Sequence, residues 1–318
     1  MRILLKELQR DPSGCVKDRE GASLAMVLSL IGGARSGLSR YLAYRGSHGW
    51  DRSFKVAATS SVAPESSTPK KAAMMVIGDE ILSGSVQDSN TPWLAKFLRA
   101  RGVDLVRVEF VPDTFEDIED SIVRLRRTVS DDGFVFTSGG IGPTHDDITY
   151  EAIAKALGLT IELHQGTYDR MKVHYAERGI ELNESRLRMA HLPTPCEVLP
   201  PQETSWVPLC RVGGNVYVLP GIPRLFTSMI EHHADVFRGP GDIFTREVFS
   251  QLGEGDFSEP LRTIASQFKD VRIGSYPNTK WDMSKGDNQH LDYRVKIIVE
   301  GRNKNLVDEA TSEVEKII

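Results

Sequence analysis

From residue 72 onward, the apolar positions of this chain alternate between two periods. Ala72-Ala73-Met74-Met75-Val76-Ile77 is a continuous apolar run ending at Gly78, as expected of a strand covered on both faces. Trp93, Leu94, Phe97 and Leu98 then share a helical face, and Arg101-Gly102 stop that helix with a basic last turn and a C-terminal glycine. Val103 to Val111 reads as the next strand, and Ile118, Ile122, Leu125 and Val129 mark a second helix. Phe134 to Thr137 is a third strand, followed by helices from about Asp147 to Leu157 and near Tyr168 to Arg178. Val216 to Leu219 is a fourth, feeding a helix that buries Leu225, Phe226, Met229 and Ile230. Alternation of this kind predicts an α/β fold with a mostly parallel sheet flanked by helices.

After Pro240 the pattern changes. Phe244 to Leu252 is strand-like, and Leu261, Ile264, Ala265 and Phe268 form a helical face. Tyr293, Val295, Ile297 and Val299 alternate with Arg294, Lys296, Ile298 and Glu300, and Val307, Ala310, Val314 and Ile317 line a last helix. The order β-α-β-β-α is a small α+β unit of split βαβ type without its closing strand, as in a chain cut from a longer product. At the other end, Met26 to Val62 carries Arg35, Arg40, Arg45, Arg52 and Lys55 against Asp51, with many Ser and Ala. That is the composition of an organelle transit peptide, addressed to a mitochondrion or chloroplast if translation starts at Met26. An ordinary disordered tail on a cytoplasmic protein is the other reading. The expected organisation is a disordered extension over 1–70, ending in the turn-forming segment Pro64 to Lys71, then an α/β domain over 71–240 and the small domain over 241–318.

A net charge of −5, with no large Lys/Arg cluster, argues against a nucleic-acid partner. The longest apolar stretch, Ala22 to Ala34, is broken by Ser and Gly and too short to span a bilayer, so no membrane partner is expected. Cys15, Cys196 and Cys210 are too scattered for a zinc motif and read as structural thiols.

In an open α/β sheet, ligands sit beyond the carboxyl ends of the strands, where loops and helix N-termini converge. Three junctions carry suitable residues. The first runs from Gly78 through Asp79, Glu80 and Gly84, with Asp88 and Asn90 just before the helix; its acids are a metal or general-base cluster, or simply helix caps. The second is Ser138-Gly139-Gly140-Ile141-Gly142-Pro143-Thr144-His145-Asp146-Asp147-Ile148-Thr149. Its glycines free backbone amides to face an anion, and the helix that follows adds its positive end. It is neither a P-loop nor a dinucleotide fingerprint, and a tight turn capped by Asp147 is its plainer reading. The third is Leu219-Pro220-Gly221-Ile222-Pro223, with proline at the first helical position. All three are expected on one sheet edge.

These three ordered motifs, with Glu151-Ala152 after the second, closely resemble the MoaB/Mog molybdopterin-binding-type domain, in the branch of CinA and the N-terminal part of eukaryotic FAD synthase. Arg246-Glu247-Val248-Phe249 and Ile273-Gly274-Ser275-Tyr276-Pro277 resemble the small domain that follows in the FAD synthase branch. The resemblance implies a three-layer Mog-like fold that is often a homo-oligomer. It also implies one of two activities: metal-dependent hydrolysis of the pyrophosphate of ADP-ribose or FAD, or binding and adenylylation of molybdopterin. Motif matching puts Asp147 and Asp88 on the acidic positions of the second and first loops. The chain departs from CinA in two places. Thr204 to Val212 lacks the Asn-Pro-x-Gly-x-Ala-Pro-Gly segment, and Arg224 stands where a Glu is usual, which favours the FAD synthase branch.

The expected site places a pyrophosphate over Gly139, Gly140 and Gly142, with Ser138 and Thr144 hydroxyls donating to it and Gly78, Gly84 and Gly221 allowing close approach. So many acids cannot face such a ligand bare. A divalent cation (Mg, Mn or Co) held by Asp79, Glu80, Asp146 and Asp147 resolves the conflict, with Asp147 or Asp88 orienting or deprotonating a water. A non-catalytic sensor of FAD or a pterin is the rival from another class. His232-His233 are expected to point roughly 100° apart and not to form a metal pair.

Overall fold

The computed structural model describes residues 69–203, 205–280 and 292–318, and before them five two-residue strands. These are β1 (Gln9–Arg10), β2 (Val16–Lys17), β3 (Ser23–Leu24), β4 (Leu42–Ala43) and β5 (Ser53–Phe54). Apart from those strands, the N-terminal extension and its transit-peptide reading lie outside the described residues, as does the segment 281–291.

From Lys71 the order is β6 (Lys71–Ile77), α1 (Asp79–Leu82), α2 (Asn90–Arg99), β7 (Asp104–Val111), α3 (Phe115–Val129), β8 (Phe134–Ser138) and α4 (Thr149–Ala156). Then come β9 (Thr160–Leu163), α5 (Gln165–Glu177), α6 (Glu184–Leu187), a 3-10 turn (Arg188–Ala190), β10 (His191–Thr194), β11 (Cys196–Leu199), β12 (Leu209–Val212), β13 (Val216–Val218) and α7 (Pro223–His232). The main sheet has the order β11-β12-β13-β8-β6-β7, in which β13, β8, β6 and β7 run parallel while β11 and β12 add an antiparallel edge.

The inner parallel strands β6, β8 and β13 are almost wholly buried because both faces are covered, whereas the edge strand β7 carries Asp104, Arg107 and Glu109. Ala72, Met74, Val76, Phe134, Phe136 and Tyr217 pack towards α2 and α7, with Leu94, Leu98, Phe226 and Ile230. Ala73, Met75, Ile77, Val135, Val216 and Val218 pack on the other side against Ile118, Ile122, Leu125 and Ile153 of α3 and α4. The result is the three-layer arrangement. The short pairings β9–β10 and β11–β12 were not legible as strands. Each strand is only four residues long, too short for a continuous apolar run or an alternation to stand out. Among the described residues no helix is long and apolar enough to cross a membrane.

The small unit comprises β14 (Phe244–Ser250), α8 (Glu254–Gln267), β15 (Val271–Pro277), β16 (Val295–Gly301) and α9 (Lys304–Glu315). β16 lies between β14 and β15 and is antiparallel to both, so the two outer strands are parallel to each other. That is the split βαβ order. Its own core gathers Val248, Phe257, Val295, Ile297, Val299, Val307 and Val314. It docks on the main sheet through Arg302, whose guanidinium donates to Gly102 O at 3.0 Å and Asp104 Oδ2 at 2.8 Å, and through an Arg99–Glu300 ion pair.

Candidate functional site

Because β6, β8 and β13 are parallel and in register, their C-terminal loops emerge on one edge. The turns are in direct contact. Gly139 N–H donates to Leu219 O at 3.2 Å, and a Cβ placed on Gly221 would lie 3.4 Å from Gly139 Cα. Gly139 has φ +114, and a Cβ there would meet Ile77 O at 2.2 Å, so only glycine lets β8 turn against the end of β6. Thr149, fully buried at the start of α4, closes the loop: its Oγ1 donates to Gly139 O and its N–H to Gly140 O, both at 3.0 Å.

The cradle differs in detail from the expected one. The Gly139 amide is taken by Leu219 and cannot face a ligand, whereas among the described residues no hydrogen bond takes up the amides of Gly140, Ile141 and Gly142. The anion surface is therefore Gly140 to Gly142. Thr144 is also occupied: its hydroxyl bonds Asp146 Oδ1 and Asp147 Oδ2, each at 2.5 Å, and its N–H donates to Asp147 Oδ2 at 2.8 Å. Asp147 thus folds back on the loop, which explains why α4 begins at Thr149 instead of Asp147. Asp88 Oδ1 accepts the N–H groups of Asn90 and Thr91, at 2.9 and 3.2 Å, and holds the first turn of α2. Gly84 has open space around it, and Gly78 is anchored by its N–H to Val111 O at 3.1 Å. His145 is exposed. The rings of His232 and His233 meet edge-on at 4.8 Å, away from these turns on the last turn of α7.

Three residues of this edge had no assigned role in the sequence reading. Asp113 follows β7, the fourth parallel strand; its Oδ2 accepts the Asp79 N–H at 3.0 Å, and its Oδ1 lies 3.6 Å from where a Gly140 Cβ would be. Partial burial raises its pKa, and the facing charges of Asp79, Glu80 and Asp146 raise it further, against the lowering hydrogen bond from Asp79 N–H. The rule that ligands sit at strand C-termini would have found it, had it been applied to β7 as well. Asn90 ties the three turns together, as described below. Arg188, on the 3-10 turn, donates to Thr144 O at 2.7 Å, Asp147 O at 2.9 Å and Glu151 Oε1 at 3.0 Å, and so clamps the outer arm of the glycine loop. Arg188→Ala is expected to cost roughly 1–2 kcal/mol, the contacts being partly exposed, and to speed amide exchange over 142–147. Unchanged exchange would show that the loop holds itself.

Among the described residues no three His, Cys, Asp or Glu side chains are gathered closely enough to hold a metal ion by themselves, so Asp79, Glu80, Asp146 and Asp147 do not form a closed cage. The crowding around Asp113 nonetheless fits a cation that takes one or two carboxylates and completes its shell from phosphate oxygens and water, the habit of Mg. A cleft of about 430 Å³ lies at the small domain, lined by Arg99, Asp104, Arg272, Glu300 and Arg302.

Both units of the chain match known families. Residues 73–238 match the family described as probable molybdopterin binding domain, and residues 242–318 match the FAD synthase middle domain. A protein from Pyrobaculum calidifontis is 33% identical over 213 residues, covering 65% of this chain and 80% of its own length. A probable FAD synthase from Caenorhabditis briggsae is 33% identical over 234 residues, covering 66% of this chain, which spans only 44% of that protein. The crystal structure of CinA from Thermoplasma acidophilum, itself of unknown function, is 30% identical and covers 52% of this chain and 98% of its own, with a TM-score of 0.46. With more than half of its length matched, the chain belongs to the family of probable molybdopterin-binding domains.

Proposed function

We propose that this edge binds a phosphate-bearing nucleotide or pterin and hydrolyses a pyrophosphate, with FAD the first substrate and ADP-ribose the second. The observation that carries this reading is the Asp113 carboxylate beside Gly140, next to amides that have no hydrogen-bond partner among the described residues. The match of residues 242–318 to the FAD synthase middle domain supports the choice of a flavin nucleotide. One or two of the carboxylates of Asp79, Glu80 and Asp146 would hold a divalent cation (Mg, Mn or Co), which when bound would neutralise phosphate oxygens and lower the pKa of a water. The Gly140 to Gly142 amides orient the pyrophosphate, and the Ser138 hydroxyl donates to it. Asp113 holds the proton of the attacking water, which adds to phosphorus as the bridging P–O bond breaks and its electron pair leaves on the departing phosphate. Asp88, whose Oδ1 holds the α2 amides, and Asp147, whose Oδ2 holds Thr144, act as supports.

Purified protein supplied with Mg, Mn or Co is expected to convert FAD into FMN and AMP, separable by chromatography. Intact FAD and ADP-ribose at high enzyme loading would contradict the proposal. The family description favours a second reading, in which the same cradle takes a pterin phosphate and ATP; an adenylylated pterin formed from molybdopterin and ATP would select it.

A further inference from the structure

Asn90 is the first residue of α2 and a buried polar residue, only 4% exposed. Its Nδ2 donates to Ser138 Oγ and to Gly221 O, each at 2.9 Å, which uses both amide hydrogens. Gly221 O can only accept, so the nitrogen must face it and the orientation of the amide is fixed. The consequence is that Asn90 Oδ1 is buried with no hydrogen-bond partner among the described residues. A buried polar atom without a bond is rare in a folded chain and is a cost that stability alone would not retain.

The geometry points to Asn90 as a positioning residue that acts through Ser138 and Gly221, an inference that rests on the reading of this edge as a phosphate-ligand site. By occupying one lone pair of Ser138 Oγ, Asn90 leaves the hydroxyl proton without an acceptor among the described residues, free to be given to an anionic oxygen. By holding Gly221 O it keeps the third turn against Gly139. One side chain on α2 therefore sets the relative position of the second and third turns, and it does so from the first junction. Its unpartnered Oδ1 waits for a donor that arrives with the ligand, either a ligand hydroxyl or a water brought in with it.

The test uses FAD with Mg as the probe, read by flavin fluorescence, on Asn90→Ala, Ser138→Ala and the double variant. If Asn90 acts through Ser138, each single variant weakens binding roughly tenfold and the double is no weaker than the worse single. Losses that multiply to roughly a hundredfold, or full binding by Asn90→Ala, overturn the inference. A second arm needs no ligand. Amide exchange over 139–141 and 220–222 is expected to be faster in Asn90→Ala and unchanged in Ser138→Ala, and unchanged exchange in Asn90→Ala overturns the positioning role. Asn90→Asp, which keeps the shape and removes both donors, serves if the alanine variant does not fold. Should the wild-type chain bind no FAD, the ligand reading falls while the exchange arm still decides the role of Asn90.

Discussion

Gly139→Ala is expected to cost roughly 2–4 kcal/mol of stability. Two effects add. The residue sits at φ +114, where a side chain is strained, and the new Cβ would meet Ile77 O at 2.2 Å. Backbone of the buried strand β6 cannot move aside as the end of a flexible side chain can. Relief would require β8 to withdraw from β6, breaking the Gly139–Leu219 and Thr149–Gly139 bonds that hold the turns together. Denaturant unfolding measures the loss, and a variant as stable as the parent would mean that the turn is not built as described. Gly84→Ala is the control: φ is +74 there but nothing lies within 4 Å, so only the backbone strain remains.

Asp113→Asn is expected to separate function from stability. The substitution keeps the shape and the acceptor for Asp79 N–H, while removing the group proposed to hold the proton of the attacking water. Turnover should fall roughly a hundredfold or more. The stability effect has the opposite sign. A carboxyl whose pKa is raised by folding binds its proton more tightly in the folded state, so its contribution is full below the unfolded pKa and is lost as pH rises through the folded one. Above its raised folded pKa, Asp113 ionises at a cost, beside Asp79, Glu80 and Asp146. In metal-free protein Asp113→Asn should melt no lower than the parent at pH 7, and any advantage should vanish towards pH 3. A divalent cation should stabilise the parent more than the variant. An inactive Asp113→Asn that is also destabilised would point to a structural residue.

How much could be read from the sequence follows from what each feature depends on. The parallel strands were legible because covering both faces of a sheet demands unbroken apolar runs, and Ala72 to Ile77 and Phe134 to Thr137 have little other use. The glycine turns were legible because positive φ at Gly139 and Gly140 leaves few residue types. The partners of those turns were not. Asp113 lies in a short Pro-Asp-Thr link whose sequence says only helix start, and indeed Thr114 caps α3. Arg188 comes from a helical insertion 41 residues beyond Asp147, a contact that no local pattern encodes. The exhaustion of the Gly139 and Thr144 donors within the loop was equally hidden, since it depends on which carbonyl or carboxylate lies opposite.

The most direct test is a crystal structure of the protein grown with Mn and FAD, using the anomalous signal of the metal. Manganese is expected between the acids around Asp113 and a phosphate oxygen, with the phosphate seated on the amides of Gly140 to Gly142. Metal and phosphates bound away from that edge, or a phosphate there with no carboxylate near its metal, would contradict it.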